Sequence, residues 1–225
     1  MAEKLEIPVW DSAYRVISSS FPPITLFEDI LDPAELQMAY ALESLTNDRL
    51  AEEVGLISRV APEDRVSGHG STPVMAAFTH IGKVSRFTDG TFGLYYAASS
   101  QSAAIAETSF HQERFLAATN EPDVELTMRT YVNKVVKPMH DIRAGFAHLH
   151  DPDPANYSSA QAFAKKLREG KSWGLLYNSV RASGHECIAA FRPPAVSIPV
   201  QGKHIRYVWE ARSQKIGYFF EITQL

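Results

Sequence analysis

Cysteine is almost missing from this 225-residue sequence. The single Cys187 excludes an internal disulfide and any paired-cysteine metal knuckle, and it fits a reducing compartment. Its setting, "HECIAAF" between Gly184 and the Pro193-Pro194 pair, reads as a buried small hydrophobe rather than a nucleophile. Long apolar runs are missing too, since nothing approaches the roughly 18 residues of a membrane span. The opening "MAEKLEIPVWDSAYR" has no basic region leading into an apolar stretch. A cytoplasmic protein with no membrane partner is expected. Cationic excess is also lacking: a net charge of −4 and a pI near 6.1 disfavour direct nucleic-acid contact, which calls for a basic stripe. No G-x-G-x-x-G follows a strand, and neither G-x-x-x-x-G-K-[ST] nor G-x-S-x-G occurs. These absences exclude Rossmann-type dinucleotide binding, a P-loop and a serine-hydrolase elbow.

What is present suits one substantial core, with 45% hydrophobic and 21% charged residues. The first helix signal is "DPAELQMAYALESLTNDRLAEEVG", where Asp32 can cap, Pro33 suits the first turn, Glu35 completes a capping box and Gly55 stops the run. A Pro-, Gly- and polar-rich connection follows, with one short helix expected near Met75 to Phe78. Residues 1–80 are read as an N-terminal helical and irregular portion packed on a core of residues 81–225. Within that core, Gly93 to Ala98 suits a strand, and Ser99 or Ser100 can cap a helix running to about Ala118. "VELTMRTYVN" alternates as a half-buried strand, and "SSAQAFAKKLREG" has helical spacing with Gly170 as terminator. "WGLLYNS", "ECIAAF", "HIRYVWEA" and "GYFFEITQ" read as strands, the last two as a hairpin with Ile205, Tyr207 and Trp209 on one face. Helices and strands interleave without regular βαβ alternation, so the class is α+β, a mixed sheet with flanking helices.

Three groups of polar residues invite a chemical reading. His148, His150, Asp151 and Asp153 cluster in one loop, but without helical i, i+4 spacing or a third anchor they read as solvated, and no metal is expected. Glu107 is the sharper anomaly. One turn either side lie Ala103 and Phe110, so the carboxylate sits on the apolar stripe of its helix. Such a group must be paired, protonated or open to a cleft. An ion pair with Arg86 or Arg114 and a functional carboxylate are both consistent with the pattern. Ser179 and Arg181 follow a strongly apolar strand, where a polar side chain can point into a cleft, although a plain turn explains the same letters.

Taken in order, "SRFTDGTFGLYYAASSQSAAIAET" and "YSSAQAFAKKLREGKSWGLLYNSVRASGHECIAAFRP" resemble the RES-domain family, the toxins of a class of bacterial toxin–antitoxin pairs. The likeness covers about residues 80–200, with "YRVI" at Tyr14 to Ile17 similar to the family's early strand. It implies a fold similar to ADP-ribosyltransferases and an enzyme that consumes NAD+ as substrate. On that resemblance Arg86 matches the active-site arginine, Tyr96 or Tyr95 the tyrosine, Glu107 the glutamate and Ser179 the serine, with Arg15 and Arg181 as further NAD+-binding candidates. Phe87 stands where many relatives carry tryptophan or tyrosine, and the region ahead of Arg86 is longer than usual. The implied reaction cleaves the nicotinamide–ribose bond with water or phosphate as acceptor. The alternatives are transfer of mono-ADP-ribose to a host protein and a non-catalytic binding module on the same scaffold. A helix-turn-helix antitoxin is the implied partner and would carry any DNA contact, with room for a homodimer within the complex.

Overall fold

A computed structural model describes residues 4–19 and 57–223. The helix expected at residues 32–55 lies outside the described residues. Among those described, nine strands form one sheet: β1 Leu5–Glu6, β2 Ala13–Ser18, β3 Tyr95–Ala98, β4 Val124–Asn133, β5 Met139–Asp141, β6 Gly174–Asn178, β7 Glu186–Ala190, β8 Val200–Glu210 and β9 Lys215–Ile222. Their order is β1-β5-β6-β7-β3-β2-β4-β8-β9. Every pairing is antiparallel except β5 with β6. Three α-helices flank it, α1 Thr72–Thr79, α2 Gln101–Thr119 and α3 Ser158–Glu169. The class is α+β with a mixed sheet, as the sequence pattern implies. No helix of the described residues is long and apolar enough to cross a membrane.

Alternation along the strands divides the core between the two faces of the sheet. Val16, Met128, Ile205, Tyr207, Leu175 and Cys187 face α2 and α3. Ala13, Tyr95, Ala97, Ile188 and Leu176 face α1 and the short turn at Ile57–Arg59. Ile205, Tyr207 and Trp209 are all fully buried on β8, so the one-face reading of that strand holds. The β8–β9 hairpin forms as expected.

Local chemistry sets the ends. The Ser100 hydroxyl caps α2 by accepting from the Ala103 N–H, and Asn120 closes the helix in the left-handed region. β3 starts two residues later than the sequence suggests because Gly93 is needed elsewhere. A Cβ there would lie 2.2 Å from the Ala77 carbonyl of α1, so only glycine allows this close approach. Two strands escaped the sequence reading, the two-residue β1 and β5, whose three residues fall in the segment "KPMHDIR". Within the first eighty residues, β2 lies between β3 and β4 near the centre of the sheet.

Candidate active site

Four segments converge at the end of the sheet where β6 gives way to the turn after Asn178. The β3 strand and its preceding turn bring Arg86 and Tyr96; α2 brings Glu107; the turn brings Ser179 and Arg181; and residues 149–157 lead into α3. The Ser179 hydroxyl donates to Glu107 Oε1 at 2.6 Å. It also accepts from the backbone N–H of Ala182 at 2.9 Å and of Arg181 at 3.2 Å. One hydroxyl thus both builds the turn and reaches the Glu107 carboxylate. Glu107 is half-buried. No lysine or arginine of the described residues lies within ion-pairing distance of it, so the ion pair with Arg86 or Arg114 does not form.

Arg86 is buried, at 6% exposure. Its Nη1 donates to the carbonyls of Asp151 at 2.6 Å and Leu149 at 3.4 Å, and its Nη2 to the Tyr157 hydroxyl at 3.2 Å. The guanidinium also lies over the Tyr157 ring, 4.5 Å from its centroid. Arg181 reaches the same hydroxyl at 3.5 Å and donates to the Pro152 carbonyl, with its Cζ 3.4 Å from the Phe110 ring centroid. Tyr157 thus bridges the two guanidinium groups. Sequence reasoning missed it. The one signal was an aromatic residue immediately ahead of the "SSAQAF" helix.

Tyr96 supports this arrangement from below. Its hydroxyl bonds to Ser85 Oγ at 2.7 Å and accepts from the Phe87 N–H at 3.2 Å, so it holds both neighbours of Arg86. Burial pushes its pKa up to about 12. Phe87 packs edge-on against Tyr177, with centroids 4.9 Å apart. Cys187 is buried beside Tyr177, and burial together with the nearby Glu107 raises its pKa and keeps it a thiol. Reading it as a structural hydrophobe is correct.

Tyr95 and Arg15 are placed apart from this cluster. Adjacent strand residues point to opposite faces, and Tyr95 is fully buried on the α1 side with its pKa also raised to about 12 by burial. The Arg15 guanidinium lies 4.6 Å from the Tyr95 ring centroid and donates to the Tyr96 carbonyl at 3.0 Å. The sheet separates both from Glu107 and Ser179.

The histidine and aspartate loop is spent on structure. Asp151 accepts from the Asp153 N–H at 2.8 Å and Asn156 Nδ2 at 2.9 Å, and Asp153 accepts from the Ala155 N–H at 2.9 Å. His150 Nε2 accepts from the Asn178 N–H at 3.3 Å, which leaves Nδ1–H to donate to the Phe146 carbonyl at 3.0 Å. Burial and the charge of Arg86 hold its pKa below the usual histidine value, which favours this neutral form. Among the described residues no three such side chains gather as metal ligands.

Comparison with known proteins bears on the same segments. The RES domain matches residues 62–210, about two thirds of the sequence. The chain belongs to the RES domain family. The match contains Arg86, Tyr96, Glu107, Tyr157, Ser179 and Arg181, and extends beyond the stretch of about 80–200 over which the resemblance is legible by eye. A protein of Sinorhizobium fredii (strain NBRC 101917 / NGR234), "Uncharacterized protein y4oC", is 26% identical over 217 residues, 96% of this chain and 90% of its own length. A chain of the M. tuberculosis MbcT–MbcA toxin–antitoxin complex aligns over 93% of this chain and 90% of its own, at 11% identity and a TM-score of 0.41.

Proposed function

We propose that this RES domain protein is the toxin of a toxin–antitoxin pair and cleaves the nicotinamide–ribose bond of NAD+. The observation that carries the reading is the Ser179–Glu107 hydrogen bond. It joins residues 72 apart in sequence and fixes a half-buried carboxylate that has no cation among the described residues to neutralise it. A structural carboxylate is ordinarily paired; one held by a hydroxyl and left charged is suited to stabilising positive charge that develops elsewhere.

In the proposed reaction the C1′–N bond of the ribose breaks and nicotinamide leaves with the bonding electron pair. An oxygen of water or phosphate then bonds to C1′ and releases its proton. The sugar passes through an oxocarbenium-like state related to that of glycoside hydrolysis. Glu107 stabilises that charge and holds a ribose hydroxyl through its second oxygen, while Ser179 fixes the carboxylate. The diphosphate meets the positive end of the site. Arg86 has its Nη donors spent on the 149–157 loop, so Arg181, half-buried and at the outer side of the Tyr157 bridge, is the nearer phosphate contact. Family membership supports an antitoxin that covers the site in the resting pair.

Brief expression without the partner, followed by mass spectrometry of NAD+ and of total protein, tests the reading. Loss of NAD+ with free nicotinamide and ADP-ribose or its phosphate supports it. Intact NAD+ in growth-arrested cells would overturn it, and ADP-ribose found on protein would move the acceptor to a protein side chain.

A further inference from the structure

A polar cavity lies away from Glu107, at the C-terminal end of α3. It has a volume of about 330 Å³ and a floor built from Phe78, Phe92 and Phe191. That size is within the range of small-ligand sites, roughly 300–1,000 Å³. Three cations stand around it, Arg59, Arg168 and Lys171, none with a carboxylate within ion-pairing distance among the described residues. A fourth, Arg192, is already satisfied: it grips Asp64 through two hydrogen bonds of 2.6 Å and lies 4.0 Å from the Trp173 ring centroid. Glu63 and Glu169 are exposed on the rim and pair with none of the three.

Arg168 is the informative member. Its guanidinium is half-buried over the Phe92 ring, 4.8 Å from the centroid, with Arg59 nearby. Burial, and after it the charge of Arg59, pulls its pKa below the usual arginine value against the weaker opposing charge of Glu169. Half-buried guanidinium groups are normally matched by carboxylates because their desolvation must be offset. Arg168 alone is half-buried on this aromatic floor without such a partner, and with the exposed Arg59 and Lys171 on the same cavity it forms a receptor for an anion that supplies the missing charge.

We infer that this cavity binds a small organic phosphate, its anionic group held by Arg59, Arg168 and Lys171 and its apolar part seated against Phe78 and Phe92. Two connections tie it to the other site. Helix α3 runs from Tyr157, which holds Arg86, to Arg168, a span of about 16 Å at 1.5 Å per residue. The segment from Arg86 to Gly93 carries Phe92 at its far end. A ligand here therefore contacts both elements that position Arg86.

Calorimetric titration with AMP tests the inference, using wild type, Arg168→Gln, Arg59→Gln and Arg181→Gln. The expected result is saturable binding that weakens with salt, with affinity lowered roughly 10- to 100-fold by either of the first two changes, the worth of a charge-assisted hydrogen bond. Arg181→Gln should leave it within about twofold, because Arg181 does not line this cavity. No detectable heat with wild type would overturn the inference. So would binding lost in Arg181→Gln and retained in Arg168→Gln, which would assign AMP to the Glu107 site. The amide keeps the stem and polarity of each side chain, and matching thermal melts exclude misfolding as the cause.

Discussion

The carboxylate half of the site and its guanidinium half are anchored in opposite ways. Glu107 is held by one hydroxyl, half-exposed, and keeps its charge free of any cation among the described residues. Arg86 is buried, with its donors committed to two carbonyls and a phenol. The lesson is that two residues of one candidate site carry different burdens. The carboxylate keeps one oxygen available to a group that arrives, whereas the arginine holds together the loop of residues 149–157. Substitutions in the two halves should therefore separate chemistry from folding.

The largest separation is expected at Glu107. Glu107→Gln keeps an oxygen to accept from Ser179, so the thermal midpoint should stay within a degree or two of wild type. Nicotinamide release should fall about 10²- to 10³-fold, the usual loss when one well-placed electrostatic group is removed. Preserved turnover with a lowered midpoint would reverse the comparison and make Glu107 the structural half. Arg86→Lys should show the contrary pattern. An ammonium cannot reproduce the planar fork that reaches Asp151, Leu149 and Tyr157 together, and denaturant unfolding should register a loss on the order of 3 kcal/mol. Activity per folded molecule should decline less than stability does.

Ser179→Ala sits between the two halves, because its hydroxyl both orients Glu107 and accepts two backbone N–H bonds. About 1 kcal/mol of stability and part of the turnover should be lost together on one sample. A fall in stability alone would leave Ser179 a turn residue.

The smallest effect is a pH dependence remote from the site. Arg143 binds Asp141, Glu186 and Glu6, tying β1, β5 and β7 together. Hydrogen bonding to Arg143 lowers the Asp141 pKa, and Lys4 with Arg143 lowers that of Glu6. A carboxylate whose pKa is depressed by folding stabilises the native state above its unfolded value, near 4. That contribution disappears as pH falls through the folded value. Unfolding midpoints should accordingly be flat from pH 7 to about 5 and drop below about 4, and Arg143→Gln should blunt the drop.

How far the sequence disclosed this arrangement follows from range. Interactions of short reach were legible: the Ser100 cap, the Gly170 stop, the alternation of β8 and of the first half of β4, and the buried setting of Cys187 all depend on neighbours a few residues away, whereas Met128 to Tyr131 of β4 are buried without alternation. Glu107 announced itself as a charge on an apolar stripe. Ser179 was singled out as well, but its bond to Glu107 was not, because a hydrogen bond across 72 residues leaves no periodic trace. Tyr157 was hidden for the same reason, since its task is defined by Arg86 and Arg181 from two other segments. Tyr95 and Tyr96 are indistinguishable as letters, and only the pairing of β3 with β7 and β2 decides which of them faces Arg86. Strands as short as β1 and β5 carry too few residues for alternation to register.

The central claim is that the carboxylate half acts on NAD+, and nicotinamide release by the purified protein tests it most directly. Wild type freed of its partner should release nicotinamide in step with the disappearance of NAD+, while folded Glu107→Gln protein under the same conditions should release it at least 100-fold more slowly. NAD+ left intact by folded wild-type protein, in the presence and absence of phosphate and of cell extract, would contradict the account.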